Sequence, residues 1–250
     1  LDSYIKDDKA MRKFAITTLL LILILCLLGI LYFDILGLRT SKESVLASII
    51  AAEDTRRVSG RLIELLSDSD SEIRARAALA IGRIGDAKAV DRLFELLQDT
   101  SLAVGETATF AIGLAGTPTH AIRLLDMADN LPASLLADAV QAVGRLTDST
   151  MTDIISEIET YLGHIDHRVR EEAAYALWRA GARSSWPKLA DICRSDPVRP
   201  VRIAALYALT RLGVGQSADI YMDWLPDADP FVRSLALKGL ALSKDSRNVT

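Results

Sequence analysis

Asp70-Ser71-Glu72-Ile73-Arg74-Ala75-Arg76-Ala77-Ala78-Leu79-Ala80-Ile81-Gly82-Arg83-Ile84-Gly85-Asp86, residues 70–86, decides the fold. Asp70 stands where a helix N-cap belongs, its carboxylate able to accept from the free amides of the first turn. Ile73, Ala77, Ala80, Ile81 and Ile84 recur at steps of three and four and predict one apolar helical stripe. Gly85 supplies the stop. A second helix is predicted over 87–98, with Val90, Leu93, Phe94, Leu96 and Leu97 as its apolar face. A helix pair this short cannot bury both faces by itself and needs neighbours of the same kind.

Those neighbours are present. The apolar anchor Ile73 returns as Val104, Leu135, Val169, Val201 and Val232, at spacings of 31, 31, 34, 32 and 31 residues. The opening recurs in Asp166-His167-Arg168-Val169-Arg170, in Val201-Arg202-Ile203-Ala204-Ala205, and in Asp229-Pro230-Phe231-Val232-Arg233. Pro230 falls at the first helical position, where a missing amide costs little. Gly82, Gly113 and Gly144 lie one period apart and predict close helix approach. Residues 42–67 read as a degenerate first unit, with helices over 42–54 and 56–66. The fold class is all-α, a stack of helix pairs winding as an α-α superhelix.

The D-x-x-[VI]-R-x-x-A-A-x-A-[LI] pattern, the G-R-[IL]-G-type stop and a second helix ending in L-L-x-D resemble the HEAT-repeat superfamily, in particular its PBS-lyase HEAT-like form. Residues 70–85, 166–181 and 229–240 match best, and the resemblance spans about residues 42–250. It implies a right-handed solenoid whose second helices line the concave side. Gly105 and Leu136 replace the Arg that follows the anchor and interrupt an arginine ladder.

Residues 14–33, FAITTLLLILILCLLGILYF, carry no charge. Twenty helical residues rise about 30 Å, the thickness of a bilayer's hydrocarbon core. The domain plan is therefore a basic tail over 1–13, a transmembrane helix or signal anchor over 14–36, a linker over 37–41 and the solenoid over 42–250. A cleaved signal would have a shorter apolar run and a small-x-small site, which Tyr32-Phe33-Asp34 does not offer. Lys6, Lys9, Arg12 and Lys13 precede the segment, and only Arg39 and Lys42 follow closely. The more basic flank stays cytoplasmic, which predicts a single-pass protein with its repeats periplasmic or extracellular.

Aligning the repeats by their anchors exposes a column on the second helices: Glu64, Glu95, Asp126, Glu157, Asp191 and Asp223. Three residues earlier stand Arg61, Arg92, Arg123, Ile154, Lys188 and Ile220. The residue after each acid and the residue two before it are apolar, so the acids border the core and face away from it. Two readings stay open: a striped surface for a protein partner, or a solvated face with weak ion pairs. Trp186, Tyr221 and Trp224 lie on the same helices as candidate aromatic anchors, with Trp224 in a core register.

The remaining chemistry is sparse. The net charge of -4 is unlike a nucleic-acid binder. Cys26 and Cys193 make no disulfide framework or metal site. His164 and His167 with Asp166 lack further ligands, and His120 reads as a surface residue at the start of a second helix. Ser184-Ser185 reads as the cap of the helix carrying Trp186 and Pro187. No nucleophile-elbow, zinc-protease or phosphate-loop motif occurs, so no catalytic, cofactor or metal site and no enzymatic activity is expected. The chain opens on Leu1 while Met11-Arg12-Lys13 resembles a start, and residues 243–250 do not supply the second helix of the last repeat. The expectation is a membrane-anchored scaffold for protein partners. The alternative is the accessory module of a larger enzyme, such as a HEAT-cyclophilin-type prolyl isomerase with its catalytic domain beyond residue 250.

Overall fold

The computed structural model describes residues 18–25, 28, 41–213 and 218–246. Two compact units emerge, Leu1–Ala47 and Ser48–Thr250. Of the expected membrane segment over 14–36, only residues 18–25 and 28 are described; they are helical, and Leu19 to Leu25 are each roughly half or more exposed. The rest of that segment lies outside the described residues, as do the tail over 1–13 and most of the linker. Among the described residues, no helix is long and apolar enough to cross a membrane.

The second unit is a run of paired helices, with no strand among the described residues. After α1 (Lys42–Asp54) come α2 (Gly60–Glu64), α3 (Ser71–Ile84), α4 (Ala87–Leu93), α5 (Leu102–Ala115), α6 (Pro118–Met127) and α7 (Ala133–Leu146). Then follow α8 (Thr152–Thr160), α9 (His167–Arg179), α10 (Trp186–Ser195), α11 (Arg199–Leu212), α12 (Ala218–Asp223) and α13 (Pro230–Ser246). From α2 onward, odd numbers are first helices and even numbers are second helices. The predicted caps form: Asp70 accepts from the Glu72 amide at 2.8 Å, Asp166 from the Arg168 amide at 2.9 Å, and Asp229 from the Phe231 amide at 2.8 Å. Gly85 ends α3 in the left-handed region at φ +81°.

The second helices differ from the prediction in two respects: the helix expected over 56–66 starts only at Gly60, capped by Ser59, and their last turns tighten. The expected helix over 87–98 is α-helical only to Leu93 and tightens into a 3-10 turn over Phe94–Gln98. The same tightening follows α2, α6 and α8. The tighter turn buries both members of the terminal Leu pair, Leu96 and Leu97, before the chain turns at Asp99.

First helices approach one another nearly at backbone contact. A Cβ placed on Gly82 would lie 2.7 Å from the Ala111 Cα, one on Gly113 3.0 Å from the Ala142 Cα, and one on Gly144 2.4 Å from the Ala176 Cα. The pairing is regular over α3, α5 and α7, where a glycine on each helix meets an alanine on the next first helix. In the repeat anchored by Val169 the glycine position is taken by Trp178, whose indole meets the Tyr207 ring edge-on at 5.0 Å between centroids.

Ion pairs join the repeats at the loop end. Arg74 grips the Asp99 carboxylate with two bonds of 2.7 Å and donates to the Asp68 carbonyl at 2.8 Å. Arg170 repeats this with Asp196 at 2.7 and 3.1 Å and the His164 carbonyl at 2.8 Å. Each aspartate also accepts a backbone amide of its own loop, from Ser101 or Val198. Both carboxylates are nearly buried. Where the sequence replaces Arg by Gly105 and Leu136, the positions matching the partner aspartate hold Asn130 and His164. Donor and acceptor are lost together.

Two outcomes follow for stability. Alanine at position 144 gains about 1 kcal/mol of helix propensity over glycine, but overpacking at a backbone contact costs about 1–3 kcal/mol. Gly144→Ala should therefore lower stability in urea unfolding, while Gly60→Ala, with open space around its Cβ, should not. Asp196→Ala should cost about 3 kcal/mol by leaving the Arg170 guanidinium uncompensated. The Arg74 guanidinium holds the Asp99 carboxyl below its ordinary range; at Asp196 burial pushes upward, and the Arg170 bond and the Val198 amide outweigh it. Carboxyls depressed in the folded state contribute stability above their unfolded value, near pH 4, and lose it as pH falls through the folded value. Acid unfolding of the wild type below pH 4 should thus be shallower in Asp196→Ala.

Candidate functional site

All ten residues of the predicted surface are exposed: Glu64, Glu95, Asp126, Glu157, Asp191 and Asp223, with Arg61, Arg92, Arg123 and Lys188. The residues two before each acid are buried throughout, from Leu62 to Tyr221, as the register requires. The stripe divides along its length. Arg61 pairs with Glu64 and Arg92 with Glu95, each at 3.3 Å one turn apart. Arg123 turns instead to Asp91 of the preceding second helix at 3.0 Å, and Lys188 to Glu159 at 2.6 Å. Asp126, Glu157, Asp191 and Asp223 have no ion pair among the described residues. Between α6 and α8, Asp126, Asp153 and Glu157 rim a groove of about 380 Å³ floored by Ile122, Leu125 and Ile154.

The aromatic candidates separate. Tyr221 is buried, with its ring against Gly239, so it cannot anchor a partner. Trp186 and Trp224 are half-buried. His120 is buried, not on the surface as its sequence position suggested. Its Nδ1 accepts the Thr117 amide at 2.9 Å in a capping box, and its ring stacks on Phe94 at 5.9 Å. Ser185 occupies the cap position of α10, but its hydroxyl makes no bond to the helix amides. The His164 ring is spent on the Asp166 amide at 3.0 Å. No group of three or more His, Cys, Asp and Glu among the described residues is placed to hold a metal ion. Burial pushes the Cys193 thiol up to about 12, which leaves it protonated and unreactive.

A second face, on the first helices, was not singled out from the sequence. Ten residues past the anchors stand Arg83, Leu114, Arg145, Arg179 and Arg211; six past them stand Leu79, Phe110, Gln141, Tyr175 and Tyr207. The guanidiniums lie on rings: Arg145 over Phe110 at 4.8 Å, Arg179 over Tyr175 at 5.8 Å, and Arg211 over Trp178 at 5.3 Å and Tyr207 at 6.0 Å. Toward α3 the face opens into a groove of about 410 Å³ that includes Arg83, Glu106, Phe110, Asp138 and Gln141. The anchor alignment that revealed the acidic column contains this one too.

The two rows are not equivalent. The Gly–Ala contacts make the first-helix row the close one.

A family model described as HEAT repeats matches residues 60–144 and 132–210. No curated protein matches the sequence. Among solved structures, YibA of Escherichia coli is similar at 22% identity, covering 84% of this chain and 78% of its own, with a TM-score of 0.61. An archaeal HEAT-like repeats protein from Thermococcus onnurineus is 15% identical over 81% of this chain and 93% of its own, with a TM-score of 0.58. The complex of CpcE and CpcF of phycocyanin lyase from Nostoc is 22% identical over 86% and 91%, with a TM-score of 0.49. At these identities the likeness is one of fold.

Asp138 lies in the first-helix groove with its carboxyl pushed up to about 6, by burial first and then by Glu106 and Glu172. Between about pH 4 and pH 6 the folded protein keeps a proton that the unfolded chain has released, so this group lowers stability as pH rises. Discounted for its half-exposed position, the penalty at pH 7 is about 1 kcal/mol. Asp138→Asn should therefore raise the melting temperature at pH 7 by about 2–4 °C and leave it unchanged at pH 4.

Proposed function

The chain belongs to the HEAT repeat family, and on that footing we propose that it is a membrane-anchored scaffold whose repeats bind protein partners outside the cytoplasm. The observation carrying the interaction reading is the second-helix surface. Its acidic residues are exposed in every repeat, and in its C-terminal half Asp126, Glu157, Asp191 and Asp223 have no ion pair among the described residues. The carboxylate-rimmed groove between α6 and α8 suits a partner that brings a basic side chain flanked by apolar ones. Anchoring and orientation rest on the uncharged run over 14–33 and on Lys6, Lys9, Arg12 and Lys13 before it.

Two measurements test this. Affinity enrichment of the full chain from solubilised membranes should recover protein partners that Glu157→Lys loses by about tenfold, while the melting temperature stays within about 1 °C because the site is exposed. Equal recovery by Glu157→Lys removes the acidic column from the interface, and no partner at all removes the scaffold reading. For topology, alkaline phosphatase fused after Thr250 should be active in a bacterial host, as it is only outside the cytoplasm; an inactive, stable fusion reverses the orientation.

A further inference from the structure

Arg145, Arg179 and Arg211 close the last turns of α7, α9 and α11, one from each successive repeat. A cation there favours the helix dipole, and that alone accounts for a positive charge. It does not account for how the guanidiniums are held. Arg145 crosses to Phe110 on the preceding first helix, and Arg211 crosses to Trp178. Trp178 and Tyr175 in turn both meet Tyr207, at 5.0 and 5.7 Å between centroids. Neither Arg145 nor Arg211 has a carboxylate at ion-pair distance among the described residues, and Arg179 reaches only Glu172, at 3.5 Å. A guanidinium held over a ring by cation–π attraction spends no N–H group on that contact, which leaves its fork to grip a carboxylate with two bonds.

We propose that the first-helix face of α7, α9 and α11 binds an extended, intermittently acidic protein segment, with carboxylates on Arg145, Arg179 and Arg211 and aromatic or apolar side chains against Tyr175, Trp178 and Tyr207. The proposal rests on the scaffold reading and adds to it a second binding face and the chemistry of its ligand. Packed helices lie about 8–10 Å apart, and a chain in the extended polyproline II conformation advances about 3.1 Å per residue with three residues per turn, so every third side chain returns to one face about 9 Å on. One guanidinium per repeat therefore meets a carboxylate about every third residue. The same face carries Glu106, Asp138, Glu171 and Glu172 nearer the helix starts. A nucleic acid, with its unbroken line of phosphates, meets that acidic border; a peptide with spaced carboxylates avoids it.

The test uses the full chain in phospholipid nanodiscs and a fluorescently labelled twelve-residue peptide, (Glu-Ser-Phe)4, followed by anisotropy. Saturable binding is expected, weakened at least tenfold in Arg145→Gln/Arg211→Gln and unchanged in Arg57→Gln, an exposed cation in the loop between α1 and α2. Circular dichroism melts check folding. If the double variant unfolds, Arg211→Gln alone, an exposed site, should still weaken binding severalfold. Arg145→Lys/Arg211→Lys keeps the charge but not the two-bond grip, and should bind more weakly than the wild type. The proposal is overturned by no binding to the wild type, by equal binding to the glutamine variants, or by a twelve-nucleotide single strand that binds more tightly than the peptide. None of these outcomes bears on the partners lost by Glu157→Lys, so the acidic column stands or falls separately.

Discussion

The contact between successive first helices constrains everything else in this molecule. At Gly82, Gly113 and Gly144 there is no room for a side chain between one helix and the next. Small residues on both sides let the backbones close up, and the apolar stripes then bury almost completely: Ala77, Ala80, Ile81, Ala108, Ala111 and Ile112 are sealed from solvent. Close spacing on one row leaves the second helices as the more open row. The two surfaces differ in chemistry as well. Side chains on the close row meet their counterparts on neighbouring helices, and arginines stack on rings across repeats. On the open row, ion pairs form within a helix or with the adjacent one, and Arg123 lies over the Phe94 ring of the preceding repeat at 4.0 Å.

The loop-end clamps act differently from the helix contacts. An ion pair as enclosed as Arg170–Asp196 gives little net stabilisation over an apolar substitute, because desolvation offsets the attraction. Its value lies in geometry. One guanidinium ties its own preceding loop, through the His164 carbonyl, to the loop that opens the next repeat, through Asp196. That fixes the offset between neighbours. The middle of the array does without it: Gly105 and Leu136 come with Asn130 and His164, so no buried charge is left alone. The loss of both partners together is the less costly route, since a single orphaned aspartate would carry the full desolvation penalty.

Much of this was legible because a repeat gives several chances to read one rule. The period, the Asp70, Asp166 and Asp229 caps, the Gly85 stop and the outward register of the acidic column all follow from local spacing. What stayed hidden depends on partners distant in sequence. His120 reads as a surface residue until Phe94, from the previous repeat, covers it. Tyr221 has the register of a groove aromatic, and only Gly239 on α13 reveals why it is buried. Arg83, Arg145, Arg179 and Arg211 were present in the alignment, but as last-turn cations they look like ordinary helix ends. That Arg145 and Arg211 lie over rings of the preceding repeat is a tertiary fact. How closely each row packs likewise depends on residues of two helices at once, which no single helix encodes.

Opposite charge on the two rows raises the question of whether copies of the chain bind one another, acidic column to arginine column. The spacing argues against it. First helices are drawn together by the Gly–Ala contacts, while second helices keep the wider interval of the open row. A carboxylate on one copy's second helix and an arginine on another's first helix can align at one repeat, but the mismatch accumulates at the next. Charge pairing across several repeats needs a ligand whose own spacing can adapt, and an extended chain adjusts its rise residue by residue where a rigid solenoid does not. The constraint that closes the first-helix row thus also makes a flexible partner a better match for its arginines than a second copy of the same stack.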